Sequence, residues 1–323
     1  MTATVHTEPR SMERAAAVVR VGRQVEVGWV AGAAYVVGIG VLAALSPAGL
    51  AVLIGLTILV LIHEGGHLAV ARRCGIAVEE YFAGFGPVVL AWRTREGLRV
   101  GLKVIPAGGY VKVVGMSRRE VVVAELESST YRAASRRARL AVVAAGPIFN
   151  VAFGFLLLVV ASVVEGGRSA PEAIAEAWQW TSTVAVTTVQ GLGAVLGDLG
   201  GYGSAIVDPS TAGEVPSRFL SPIGVAQIST DLAAHGPGPL IRLMAIASIG
   251  LGVMNSLPLP PLDGGHAAIV GVEAAVAKVL RRPALRIDVT NRVVAAVTAL
   301  TFVLVIALGA SALLFDIASP VTL

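Results

Sequence analysis

The 323-residue sequence has one cysteine, Cys74, so an intramolecular disulfide and a multi-cysteine metal site are both excluded. Charge is scarce too: 14% of residues are charged against 55% hydrophobic, and the mean hydropathy is +0.78. A soluble domain of this length rarely has that balance, so the chain reads as a polytopic protein of the lipid bilayer. It has no glycine-rich nucleotide loop and no interleaved basic and aromatic surface, which argues against nucleic acid as a partner. Residues 1–27 contain Arg10, Arg14, Arg20 and Arg23 but no apolar core of their own. They read as a cytosolic tail, not as a cleavable signal peptide.

What the sequence does have is long apolar runs, at about 28–46, 50–71, 140–164, 240–257 and 290–315. Pro47 fits a tight turn between the first two. The 25 Lys and Arg residues sort these runs. Four precede the first run, thirteen lie from Arg72 to Arg139, and five lie from Lys278 to Arg292. Only Arg168 and Arg218 fall between 165 and 238. The positive-inside rule then puts the N-terminus and the 72–139 loop in the cytosol, and the 165–238 segment and the C-terminus outside. The expected fold is a membrane all-α bundle of about five transmembrane helices.

Within the cytosolic loop, Leu98 to Met116 alternates apolar and polar residues around Gly108 and Gly109. The pattern predicts one or two β-hairpins, either as a solvated unit or as a sheet edge that dips toward the membrane. Pro171 to Leu199 predicts an interfacial amphipathic helix with Trp178 and Trp180 at the water boundary. The glycine-rich stretch that follows, up to Phe219, reads as loop.

The chemistry concentrates in LVLIHEGGHLAV, Leu59–Val70. In a helix His63 and His67 stand one turn apart on one face, the spacing of two corners of a tetrahedral Zn2+ site. Glu64 then sits beside a metal-activated water as general base. Ionisable groups inside a span need partners and mark function. Gly65 and Gly66 weaken the helix and are expected to admit a neighbouring helix or an extended substrate closely. Cys74 lies about two turns beyond His67, roughly 10 Å along the axis. It reads as a packing residue.

A catalytic zinc takes a third protein ligand. Pro258, Pro260 and Pro261 break the 240–257 run on the same side of the membrane as the histidines, and Asp263 follows in a turn-prone Asp-Gly-Gly. Alone this would be an ordinary turn aspartate. At that depth it becomes the candidate third ligand, with His266 as a competitor better suited to an outer role.

The HExxH at 63–67 together with Asn255-x-x-Pro258-x-Pro260-x-Leu262-Asp263-Gly264 resembles the site-2 protease family, the intramembrane zinc metalloproteases of peptidase family M50. GFGP (84–87), IPAGGYVK (105–112), AAGPIFN (144–150) and SPIGVAQI (221–228) match in the family's order. The resemblance implies His63, His67 and Asp263 as zinc ligands and Glu64 as the catalytic glutamate. It implies that Asn255 positions the substrate or polarises its carbonyl. Gly108, Gly109 and Tyr110 would belong to a β-element that pairs with unwound substrate. On this reading 28–46 is an additional helix, 50–164 and 239–323 are the two catalytic halves, and 165–238 is extracytosolic.

Many bacterial relatives carry an extracytosolic PDZ domain of roughly 80–100 residues, which the few residues between Val164 and Pro171 cannot hold. Such a domain is expected to be naturally absent or trimmed away. The implied substrates are single-pass membrane proteins, such as anti-sigma-factor-like regulators or remnant signal peptides. A metal transporter would be expected to show two related halves, and the sequence shows none.

Overall fold

Ser46 ends one apolar helix and caps the next. The computed structural model describes residues 25–117, 120–166, 168–208, 220–281 and 292–319, and in it α1 (Trp29–Leu45) is followed directly by α2 (Pro47–Arg73). The Ser46 hydroxyl accepts from the Gly49 N–H at 2.9 Å, and Pro47 occupies the first turn, where a missing N–H costs nothing. Arg72 and Arg73 lie in the last turn, where the helix dipole favours cations. With 27 residues α2 runs about 40 Å, more than the roughly 30 Å of a bilayer core.

Three further helices are long and apolar enough to cross a membrane: α3 (Arg136–Gly166), α7 (Pro237–Asn255) and α9 (Arg292–Ala318). The first predicted span is a helix as expected, but its 17 residues reach only about 25 Å. Among the described residues the bundle therefore has five such apolar helices, of which four have spanning length by themselves.

The predicted strand element is larger than the sequence suggested. β1 (Val25–Val27), β2 (Val78–Arg93) and β3 (Arg99–Val113) form one sheet in that order. The reversal lies at Thr94–Leu98, closed by Thr94 N–H to Leu98 O at 2.8 Å, with Gly97 at φ 85°. Gly108, at φ 125°, lies at a bend inside β3, so the expected Gly108-Gly109 hairpin turn is corrected to a corner. Both strands double over. Trp92 pairs with Val100 in the distal half, and Phe82 pairs with Tyr110 in the proximal half. β3 is an edge strand, and its Gly109–Val113 end packs against α2.

α4 (Ala170–Gly197) begins where the Ser169 N–H and hydroxyl both donate to the Glu172 carboxylate, at 3.0 and 2.7 Å. It packs on α3 and α7, where Ser162 and Arg242 both donate to Glu176, at 2.6 and 3.2 Å. The glycine-rich stretch after it is not all loop. Leu199–Val207 forms α5, started by the Asp198 carboxylate accepting from Gly201 N–H. Residues 209–219 of that expectation lie outside the described residues. α6 (Pro222–Ala233) starts at Ser221, whose own N–H donates to the buried Asp316 of α9 at 2.7 Å.

The last helix to place is α8 (Asp263–Val279). Its Glu273 is fully buried and accepts from Arg136 Nε at 3.1 Å and from Arg139 Nη2. This ion pair ties α8 to the start of α3 and so holds the turn that carries Asp263. One apolar cluster (Ala71, Ile76, Val113, Tyr131, Val142 and Val143) joins α2, α3 and the sheet edge. A second (Leu158, Ala177, Val184, Ala245 and Ile249) joins α3, α4 and α7. The site lies between the sheet edge and the α2–α3 crossing.

Candidate metal centre

His63 and His67 project from one face of α2 with ring centroids 4.9 Å apart, as the four-residue spacing requires. Asp263, 196 residues beyond His67, meets both of them. Its Oδ2 lies 2.9 Å from His63 Nε2 and 3.2 Å from His67 Nε2, and the two Nε2 atoms are 3.3 Å apart. Donors held at 2.0–2.1 Å from a tetrahedral zinc stand roughly 3.3 Å from one another. The set is two imidazole nitrogens and one carboxylate oxygen, with the composition and spacing that zinc takes.

Two further observations fit a metal. His67 Nδ1 donates to the Val142 carbonyl at 2.7 Å; a carbonyl can only accept, so Nδ1 carries a proton and Nε2 is the nitrogen left to face a metal. Gly146 of α3 backs directly onto the donors. A Cβ there would stand 2.4 Å from His67 Nε2 and 2.8 Å from His63 Nε2. Only glycine leaves the space in front of both nitrogens clear.

The glycines of α2 divide in function. A Cβ on Gly66 would meet the Ala145 carbonyl oxygen at 2.7 Å and the Phe149 ring at 2.9 Å, so Gly66 is where α3 comes close. A Cβ on Gly65 would meet nothing nearer than the Tyr81 hydroxyl at 3.6 Å. The expected close approach of a neighbouring helix therefore falls on Gly66, while the space beside Gly65 stays open.

Asp263 is placed by packing of its own turn. A Cβ on the next residue, Gly264, would collide with the Ser256 and Leu257 carbonyl oxygens at 2.1 and 2.3 Å. The chain after α7 therefore folds back tightly against the start of α8.

Glu64, Asn255 and His266 line the same cavity of about 220 Å³ as the three donors, together with Val111 and Val113 of the sheet edge. His266 is not among the converging donors, in keeping with its expected outer position. Asn255 Nδ2 donates to Leu251 O at 3.1 Å, leaving its second N–H for another acceptor. Gly109 packs beside Glu64, its hypothetical Cβ 3.6 Å from Glu64 Cγ. Gly108 lies over the Phe85 ring. The Tyr110 side chain turns away from the donors: its hydroxyl donates to Glu80 at 2.6 Å, and its ring stacks on Phe82. Cys74 is exposed at the end of α2, which corrects its expected packing role.

In the sheet, partial burial pushes the Glu80 carboxyl up. The Tyr110 hydroxyl and the Arg99 guanidinium outweigh that and hold it below the usual carboxylate range. Burial pushes the Tyr81 phenol up to about 12, so it stays a donor, and it gives its proton to Leu61 O at 2.7 Å.

Asn150 and Gly146 touch the histidines without having been singled out from the sequence as site residues. Their signal was the AAGPIFN stretch, which resemblance marked but to which it attached no role.

Comparison with known proteins agrees with this geometry. The profile of Peptidase family M50 matches residues 51–304. A protein of Brucella suis with a zinc-metalloprotease name is 27% identical over 317 residues, covering 68% of this chain and 84% of that one. A similarly named protein of Mesorhizobium japonicum is 28% identical, covering 71% and 88%. Protease RseP of Yersinia pestis is 40% identical over 106 residues, 33% of this chain and 23% of that one. With the family profile covering most of the chain and a zinc-type donor set inside an apolar helix bundle, the chain belongs to peptidase family M50 and is a zinc metalloprotease of the multi-pass membrane type.

Proposed function

We propose that this protein is an intramembrane endoprotease that hydrolyses a peptide bond in or near the transmembrane segment of a single-pass membrane protein. One observation carries the reading: His63, His67 and Asp263 converge at zinc spacing on a membrane-length helix, with Glu64 in the same cavity.

In this reading His63, His67 and Asp263 hold Zn2+. Zinc, when bound, supplies a Lewis acid that polarises a carbonyl and acidifies a water. Glu64 takes a proton from the water that attacks the carbonyl carbon and returns it to the amine that leaves as the C–N bond breaks. Asn255 directs its second N–H to the scissile carbonyl. A helical substrate hides its peptide bonds in its own hydrogen bonds, so it must be unwound and held extended. The free edge of β3 from Gly108 and Gly109 through Tyr110 offers backbone partners for that purpose. A second, apolar cavity of about 630 Å³ runs along α3, from Phe155 and Trp178 to Asp263, and supports access for an apolar segment.

The charge distribution supports a cytosolic N-terminus and active-site side, with the C-terminus and the 165–238 segment outside. α4, with Trp178 exposed, would then lie near the outer interface. The substrates would be anti-sigma-factor-like regulators or remnant signal peptides. α3 and α4 are separated by three residues, so substrate selection by a PDZ domain at that junction does not apply.

Glu64→Gln tests the mechanism. Cleavage of a reconstituted single-pass substrate is expected to vanish while one zinc per chain stays bound. Undiminished turnover would refute the assignment.

A further inference from the structure

The AAGPIFN segment of α3 takes no part in the chemistry above, yet it lies against both histidines. Val142, Gly146 and Asn150 are four residues apart and so share one face of α3. Val142 gives its carbonyl to His67 Nδ1, and Gly146 gives the space in front of both Nε2 atoms. Asn150, wholly buried, puts its side-chain amide 3.3 Å from His63 Nδ1. Its Oδ1 meets no hydrogen-bond donor among the described residues. The Asn150 backbone is fixed by Ser248 of α7, whose hydroxyl donates to the Asn150 carbonyl at 2.8 Å.

A histidine that binds zinc through Nε2 carries its proton on Nδ1, and that N–H needs an acceptor. An amide NH2 cannot accept, whereas the amide oxygen can. A half-turn of the Asn150 amide exchanges Nδ2 for Oδ1 at the same place and moves no other heavy atom. As placed, the Asn150 Oδ1 is the unpaired atom, so the tautomer of His63 decides between the two orientations.

We infer that Asn150 is a positioning residue of the metal centre: its Oδ1 accepts the His63 Nδ1–H, as the Val142 carbonyl accepts the His67 Nδ1–H. α3 then sets the tautomer and the angle of both rings while contributing no ligand. The inference rests on His63 and His67 holding zinc.

The test measures zinc binding directly. Asn150→Leu removes the acceptor at similar volume, and Asn150→Asp keeps one. For each full-length variant in detergent, zinc affinity is read by competition with a chelator of known affinity. Thermal unfolding is read after zinc removal, and the His63 tautomer by 15N-histidine NMR of the zinc form.

Asn150→Leu is expected to weaken zinc about 10- to 100-fold, the usual cost of losing such a partner. Its zinc-free unfolding temperature should stay near that of the wild type. Asn150→Asp should hold zinc within a few-fold of the wild type, with His63 protonated at Nδ1. Wild-type affinity in Asn150→Leu would overturn the inference, as would equal weakening by Asn150→Asp. If Asn150→Leu does not fold, the Asn150→Asp affinity and the wild-type tautomer decide. His63→Ala separates the two layers: stoichiometric zinc in that variant would refute the ligand assignment itself.

Discussion

Replacing Gly146 by alanine adds one methyl group at the point where α3 faces the metal donors. The added Cβ would stand 2.4 Å from His67 Nε2 and 2.8 Å from His63 Cε1 and Nε2. Ordinary contact between such atoms begins near 3.4–3.5 Å, so the rings or α3 must retreat by roughly 0.7–1 Å. Zinc ligation tolerates about 0.2 Å, so a zinc held by both rings as proposed would lose at least one Zn–N bond. The expected result is zinc affinity lower by two orders of magnitude or more, with loss of proteolysis.

Folding should survive that change. Overpacking costs about 1–3 kcal/mol, and the better helix propensity of alanine offsets about 1 kcal/mol of it. Zinc per chain, measured by mass spectrometry after equilibration with a weak chelator, reads the effect. Circular dichroism confirms that the helices remain. If Gly146→Ala holds zinc as tightly as the wild type, the donor geometry described here is wrong.

Other expectations follow from separate parts of the structure. Gly66→Ala should destabilise by up to about 2 kcal/mol, because the Ala145 backbone cannot give way, whereas Gly65→Ala should be neutral or slightly stabilising; equal unfolding temperatures for the two would contradict the α2–α3 packing. Glu273→Gln leaves the buried Arg139 without its counter-charge and should cost about 3–5 kcal/mol in thermal stability. Because α8 also carries Asp263, zinc affinity should fall with it, and a variant unaffected in both would refute the anchoring role. Glu80 has a lowered carboxyl pKa, so its contribution is complete above about pH 4.5 and is lost as the pH falls through the folded value. Wild type and Glu80→Gln should therefore differ in sheet protection by hydrogen exchange at pH 6 and converge in strong acid; a constant difference would show that ionisation is not the cause.

Much of the site was legible because its main parts are local. HExxH sets two nitrogens one turn apart in any α-helix, whatever surrounds it. Runs of twenty or so apolar residues report the bilayer in the same direct way. β2 was harder to see. Its sequence VEEYFAGFGPVVLAWR lacks steady alternation, since Gly84 and Gly86, at φ 83° and 84°, bend the strand midway. Gly200–Val207 reads as loop for its glycines, yet Asp198 caps the helix there and Tyr202 packs on Phe315. Local composition was overruled there by tertiary contact.

By itself, then, the sequence determined the apolar helices and the spacing of the two histidines with Glu64, and it offered Asp263 as a candidate third donor with His266 as a competitor. The tertiary structure decided that the Asp263 carboxylate reaches both imidazoles across 196 residues of chain, because the buried Glu273 pair and the tight Gly264 turn hold α8 in place. It also decided what faces Gly146 and Asn150. Neither bears a metal-type signature, since a glycine and an asparagine acquire a role only from what the fold sets against them. Here that is a pair of imidazoles on the next helix, which need open space at one nitrogen and an acceptor at the other.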